Sequence, residues 1–280
     1  MVPPAQPPES PDVPPDVPPD LAAARETAVA AARGAGQIQR KGFGGPLNVR
    51  MKGAIDLVTE VDLACERHVV DTIRARFPDH AVLAEEGGAT DGASDRRWVI
   101  DPLDGTTNFA HRFPFFCVSI ALEVAGETAL GVVYAPMLDE LFVAERGRGA
   151  TLNGAPLAVS GADALVRALL VTGFAYDVHH AANDNLDHFA AFTRRAQATR
   201  RTGCAALDLS YVAAGRFDGF WELGLKPWDM AAGSLMVNEA GGRVTRFDGS
   251  PHRITDKEIL ASNGRLHAAM IEVLAASAPR

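Results

Sequence analysis

The chain has 280 residues, 47% of them hydrophobic, and a formal net charge of −8. That length suits one large domain or two closely packed ones with a substantial core. The acidic balance, with no basic block, argues against nucleic acid as the main ligand, and no apolar run reaches membrane-spanning length.

Three cysteines, Cys65, Cys117 and Cys204, show neither CxxC nor Cys/His spacing. That pattern fits reduced, buried thiols and a cytoplasmic protein. The leading segment has no basic n-region and no apolar h-region, so no secretory leader is expected.

Taken in chain order, residues 1–20 are proline-rich (PPDVPPDVPPD) and read as an extended or disordered tail. Asp20 can cap an alanine-rich helix from Leu21 to about Arg33, with Gly34 and Gly36 expected to end it. Residues 41–55 read as a glycine-rich loop carrying Lys52, the kind of segment from which mobile lids are made. Val61, Cys65, Val69, Ile73 and Phe77 recur every fourth residue, which predicts a helix from Thr59 to Phe77, stopped by Pro78. A short strand follows from Ala81, ending in the acidic pair Glu85–Glu86.

Trp98, Val99 and Ile100 predict a buried strand, ended at Pro102 because proline cannot donate to a ladder. Phe115–Val124, Thr128–Tyr134 and Leu141–Ala144 are apolar runs at hairpin spacing, which predicts antiparallel pairing and an α+β first half over 21–155. Beyond it, strands at Leu169–Thr172, Phe217–Glu222, Arg243–Thr245 and Ile259–Ser262 alternate with four helices. These are Leu186–Gln197, Ala205–Ala214, Pro227–Ala240 and Arg265–Ala276. This is an α/β half over 156–280.

The stretch WVIDPLDGTTNF, residues 98–109, carries the chemistry. It fixes Asp101 and Asp104 three positions apart on a bend at a strand exit, with the Leu103 carbonyl between them. Hard divalent cations take such oxygen ligands. An Asx turn, in which the two acids merely bond nearby amides, is the plainer alternative. The string DPLDGTTNF resembles the signature of the inositol monophosphatase family. Four further segments match that family in order, from Lys52 to Gly242: KGAIDLVTEVD, AEEGG, GCAALDLSYVAAGRFDGFWE and PWDMAAGSLMVNEAGG.

The resemblance implies a layered α-β-α-β-α sandwich and a Mg²⁺-dependent phosphomonoester hydrolase acting on inositol monophosphate or a similar small polyol phosphate. It also implies two or three metal ions, a homodimer and sensitivity to Li⁺. Carried over residue by residue, Glu85, Asp101, Leu103, Asp104 and Asp229 are metal ligands, and Asp62 serves a third, weaker ion. Glu85, Thr106 and Asp62 position and deprotonate the attacking water. Asp104, Gly105, Thr106, Gly203, Cys204, Ala205, Glu222 and Asp229 bind substrate, and Lys52 lies near the metals.

Each residue also has an ordinary structural reading. Asp229 suits a helix N-terminus begun by Pro227, Asp62 suits a capping box with Thr59, and Glu85 and Glu222 suit exposed strand ends. Histidinol phosphate or another small phosphoester is the alternative substrate. A regulatory or scaffold protein on the same fold is the alternative outside enzymes.

Overall fold

The computed structural model describes residues 21–181 and 183–277, so the proline-rich segment lies outside the described residues. The first helix, α1 (Leu21–Gly42), runs well past Arg33. Gly34 and Gly36 do not end it; they let it approach its neighbours. A Cβ on Gly34 would sit 1.9 Å from the His68 ring, and one on Gly36 would sit 2.4 Å from the Tyr134 ring. Tertiary contact here overrides the low helix propensity of glycine, which costs about 1 kcal/mol per residue. Ala24, Ala28, Ala31, Ala32 and Ala35 form the buried stripe.

The expected loop over 41–55 also needs correction. It holds one arm of a two-stranded antiparallel hairpin, β1 (Val49–Met51) with β2 (Leu57–Thr59). Lys52 opens the connection, its N–H donating to the Asp56 carbonyl at 2.9 Å. Helix α2 (Glu60–Arg76) follows as predicted. Its N-cap Thr59 accepts from the Val61 N–H, and Asp62 Oδ2 accepts from the Thr59 N–H at 2.9 Å, a complete capping box.

Strands β3 (Ala81–Ala84), β4 (Gly88–Thr90) and β5 (Arg96–Asp104) precede a short helix, α3 (Thr106–Ala110). Then come β6 (Cys117–Val124), β7 (Glu127–Ala135), β8 (Glu140–Glu145), β9 (Gly149–Leu152) and β10 (Ala155–Pro156). Together β3–β10 form one sheet in the order β10-β9-β8-β7-β6-β5-β3-β4, antiparallel throughout except for β3 against β5. Pro102 does not end β5. The strand continues to Asp104 across a register shift against β6 between Asp101 and Asp104, where a missing N–H costs the ladder nothing.

The second half contains β11 (Leu169–Thr172), α4 (Leu186–Thr193), β12 (Ala198–Arg200), α5 (Ala205–Ala213), β13 (Gly219–Leu223) and α6 (Pro227–Glu239). It closes with β14 (Arg243–Thr245), β15 (Glu258–Ser262) and α7 (His267–Ala276). Its sheet has the order β12-β11-β13-β15-β14, parallel over the first three strands. Helix α4 stops four residues short of the expected Gln197, and the missed β12 follows. That edge strand is short and partly exposed, so no alternation marks it.

Three buried clusters join five layers, the central one spanning both faces of the middle helices. Helices α1 and α2 cover one face of the first sheet. Helices α5 and α6 fill the space between the sheets. Helices α4 and α7 cover the outer face of the second sheet. The order is α-β-α-β-α, as the resemblance implies. Helix α6 is buried continuously from Met230 to Val237, the mark of a helix enclosed on all sides. Among the described residues, no helix is long and apolar enough to cross a membrane.

Candidate active site

The site grows from the exit of β5. Asp101 is almost fully buried, and its Oδ1 accepts the Leu103 N–H at 3.0 Å. The Asx-turn reading therefore holds for Asp101, but not for Asp104, which accepts a distant amide. Gly105 reverses the chain at φ +94°, a left-handed conformation that glycine adopts without strain, and α3 begins. Phe109, fully buried, packs edge-on against Phe116 with ring centroids 5.0 Å apart and anchors this short helix. Thr106 is thereby held with its Oγ1 3.0 Å from both Asp62 Oδ1 and the Leu103 carbonyl.

Parallel pairing of β3 with β5 sets Glu85 beside Asp101, since the Glu85 N–H continues the ladder to the Ile100 carbonyl at 3.2 Å. Lys52 reaches over from the hairpin. Its Nζ donates to Glu85 Oε1 and Glu86 Oε1, both at 2.8 Å.

The opposite wall comes from the second half. The Ala206 N–H, at the start of α5, donates to Asp104 Oδ2 at 2.7 Å, and Cys204 Sγ lies 3.4 Å from the Asp104 carbonyl. Asn108 ties the walls together, its amide donating to the Phe115 carbonyl at 2.7 Å and the Thr202 carbonyl at 2.8 Å. Asp229 caps α6 by accepting the Lys226 N–H at 2.7 Å, so its helix-terminus reading also holds.

These elements enclose a cleft of about 220 Å³. Lys52, Glu85, Asp101, Leu103, Asp104, Gly105, Thr106, Gly203, Cys204, Ala205, Glu222 and Asp229 all line it. Asp62 does not. It lies behind Thr106, fully buried, with Oδ2 taken by Thr59 and Oδ1 by Thr106. Neither Glu85 nor Glu222 is the exposed strand end of the plainer reading; Glu222 is 6% exposed.

Crowding of acids sets the electrostatics. Burial, then repulsion from Glu85, Asp104 and Asp229, pushes the Asp101 carboxyl far above the usual range. Burial and the neighbouring Asp104 do the same to Asp229, and burial with Asp208 and Asp229 to Glu222. Asp104 is raised to about 6 by burial, against the pull of the Ala206 N–H, and Glu85 to about 7 by burial, against that of Lys52. Burial works to lower the Lys52 pKa, but its contacts with Glu85 and Glu86 outweigh that and raise it. The cleft therefore holds more acidic side chains than basic ones. The candidate ligands Glu85, Asp101, the Leu103 carbonyl, Asp104 and Asp229 all offer oxygen, which suits a hard divalent cation.

Sequence reasoning missed part of the lining. Asp208 stands inside the matched segment GCAALDLS and accepts the Thr202 hydroxyl at 2.5 Å, so a signal was present. Gly173, Phe174 and Tyr176 lie in a loop with no motif. Gly173 matters through what it lacks, since a Cβ there would fall 2.2 Å from Glu222 Oε1.

A family model described as the inositol monophosphatase family matches residues 20–278. An inositol-1-monophosphatase of Synechocystis is 48% identical over 243 residues, covering 86% of this chain and 81% of that one. The Nus factor SuhB of Escherichia coli K12 is 47% identical over 247 residues, covering 87% and 92%. Among solved structures, an inositol monophosphatase from Anabaena superposes with a TM-score of 0.85 at 42% identity, covering 93% of this chain and 98% of that one. Fold and site thus define a sandwich-fold phosphatase. The chain belongs to the inositol monophosphatase family.

Proposed function

We propose that this phosphatase is Mg²⁺-dependent and hydrolyses inositol monophosphate or a similar small polyol phosphate. The observation that carries this reading is the convergence of Glu85, just past β3, Asp101 and Asp104 on β5, and Asp229 on α6, on one cleft lined by more acidic than basic side chains. Glu85, Asp101, the Leu103 carbonyl, Asp104 and Asp229 would hold two ions; Asp62, buried behind Thr106 with Oδ2 taken by Thr59 and Oδ1 by Thr106, has no oxygen turned to the cleft for the expected third ion and serves instead to position Thr106. Bound divalent cations supply the positive charge that activates water and neutralises phosphate oxygens.

The chain's own groups handle the proton and the pose. Thr106 Oγ1, anchored by its bond to Asp62, keeps lone pairs free to accept a hydrogen bond from the attacking water. Glu85 is the neighbouring base, and Lys52 fixes its orientation. The Gly105 and Thr106 amides are donors for phosphate oxygens. Glu222, with Gly203, Cys204 and Ala205, meets the polyol, its carboxyl accepting from ring hydroxyls. We take the enzyme to act in the cytoplasm, as its free cysteines suggest, and as a homodimer, as the resemblance implies.

Relatives bearing the name Nus factor SuhB support a second reading, a regulatory role on the same fold without need of turnover. Phosphate release from inositol phosphate, other polyol phosphates and histidinol phosphate, with Mg²⁺ titrated, tests both. Inositol phosphate should turn over fastest, and only with the metal. Faster histidinol phosphate cleavage would replace the substrate. No turnover at all, in a protein that is folded, would favour the regulatory reading.

A further inference from the structure

Next to the acidic cleft lies a group of different chemistry. Cys117 and Asp104 are register partners across β6 and β5, and Cys204 sits at the N-cap of α5. The two thiol sulfurs are 3.5 Å apart, one donating to the other, and both side chains are almost fully buried. Both sulfurs and a carboxylate oxygen of Asp104 lie within 4.8 Å of one another.

Two chemistries suit a pair of close thiols, and distance separates them. A disulfide requires sulfurs about 2.05 Å apart, so this pair would have to close by roughly 1.5 Å within a packed core. A tetrahedral thiophilic ion, with metal–sulfur bonds of about 2.3 Å, requires sulfurs about 3.8 Å apart. The observed separation is within about 0.3 Å of the second arrangement. Two sulfurs and one carboxylate oxygen make three ligands, and the cleft supplies the open fourth position.

We propose that Cys117, Cys204 and Asp104 form a site for a thiophilic divalent ion, Zn²⁺ or Cd²⁺, that inhibits the enzyme by taking Asp104 away from the catalytic metals. Access is from the cleft, because Cys204 lines it while Cys117 stands behind. The surrounding carboxylates concentrate divalent cations at the entrance. Thiolate ligands then select a soft ion over Mg²⁺, which keeps to oxygen. The inhibitory part rests on the role proposed for Asp104; the binding part does not.

The test uses the full chain, stripped of metal and kept reduced under anaerobic conditions. Cd²⁺ alone is titrated while the ultraviolet thiolate-to-metal charge-transfer band is recorded, and Zn²⁺ is titrated against Mg²⁺-supported phosphate release. Wild type should develop the band with one equivalent of Cd²⁺. Zn²⁺ should abolish turnover, and chelation followed by fresh Mg²⁺ should restore it. Cys117→Ala should keep its Mg²⁺-supported turnover and bind Cd²⁺ at least about tenfold more weakly. Cys117→Ser serves if the alanine variant does not fold. Absence of the band, or equal Zn²⁺ sensitivity in wild type and variant, overturns the site. So does inhibition that chelation leaves in place and a thiol-free phosphine reductant relieves, which would assign a disulfide instead. A clear band in a chain inert toward every phosphoester would sink the proposed function and leave the ion site standing.

Discussion

Two sets of buried acids show how this fold treats negative charge. Asp218, at the entrance to β13, has both oxygens bonded: Oδ1 accepts the Ser160 hydroxyl at 2.5 Å and Oδ2 the Leu169 N–H at 2.6 Å. Asn263 extends the network, donating to Ser160 Oγ at 3.0 Å. In the cleft, Asp101 accepts one local N–H, and Glu222 accepts no hydrogen bond among the described residues. Both are pushed far above the usual carboxylate range by burial first and by neighbouring acids second. A carboxylate that belongs to the architecture is satisfied from within. Asp101 and Glu222 in the cleft are left with open oxygens, an arrangement that destabilises the empty protein and favours whatever cation enters.

The largest expected effect lies on the cleft side. Asp104→Asn should lower kcat by on the order of 10²–10³-fold or more. The metal-free variant should melt no lower than wild type, because one charge leaves a mutually repelling set. Phosphate release and thermal unfolding together check this, and wild-type turnover would break the comparison. Asp218→Ala should do the reverse. It strands the Leu169 N–H and the Ser160 hydroxyl, so stability in urea should fall by about 1–3 kcal/mol while kcat stays near wild type.

Glu222→Gln probes the cleft more gently, since the amide keeps the size of the carboxyl and one of its acceptor oxygens. Preference among polyol phosphates should shift by about tenfold, or 1.4 kcal/mol, with little change on a simple aryl phosphate. An unchanged selectivity profile removes Glu222 from recognition.

The last effect bears on stability alone, a pH dependence from a satisfied site. Burial, with Arg243 adding to it, lowers the His267 pKa to about 4, and the ring bonds Thr245 Oγ1 and Ser262 Oγ, each at 2.8 Å. The unfolded ring takes a proton below about 6.5, whereas the folded one waits until about 4. Its contribution to stability is therefore complete above 6.5 and lost as pH falls through that window. Subtracting the unfolding profile of His267→Gln from that of wild type isolates the slope. A flat difference would show that the ring is not held neutral.

Much of the fold follows from local chemistry. The four-residue stripe from Val61 to Phe77, the Thr59 cap and the tight Ala125–Gly126 turn each specify their element from nearby residues alone. The misjudged boundaries are places where distant contacts prevail. Helix α1 passes Gly34 because His68 and Tyr134 need the room, and β5 passes Pro102 because the register shifts there.

For the site, the order of residues supplied the acids, their motif context and the oxygen-rich character that points to a divalent cation. Convergence was decided in three dimensions. Parallel pairing of β3 with β5 brings Glu85 to Asp101, and α5 delivers the Ala206 amide to Asp104. Placement of Asp62 behind Thr106, of Gly173 under Glu222 and of Cys117 against Cys204 was decided there too. Such pairs span tens of residues or more, and no periodicity or propensity encodes them. Packing of whole layers sets those distances, and only the folded chain contains them.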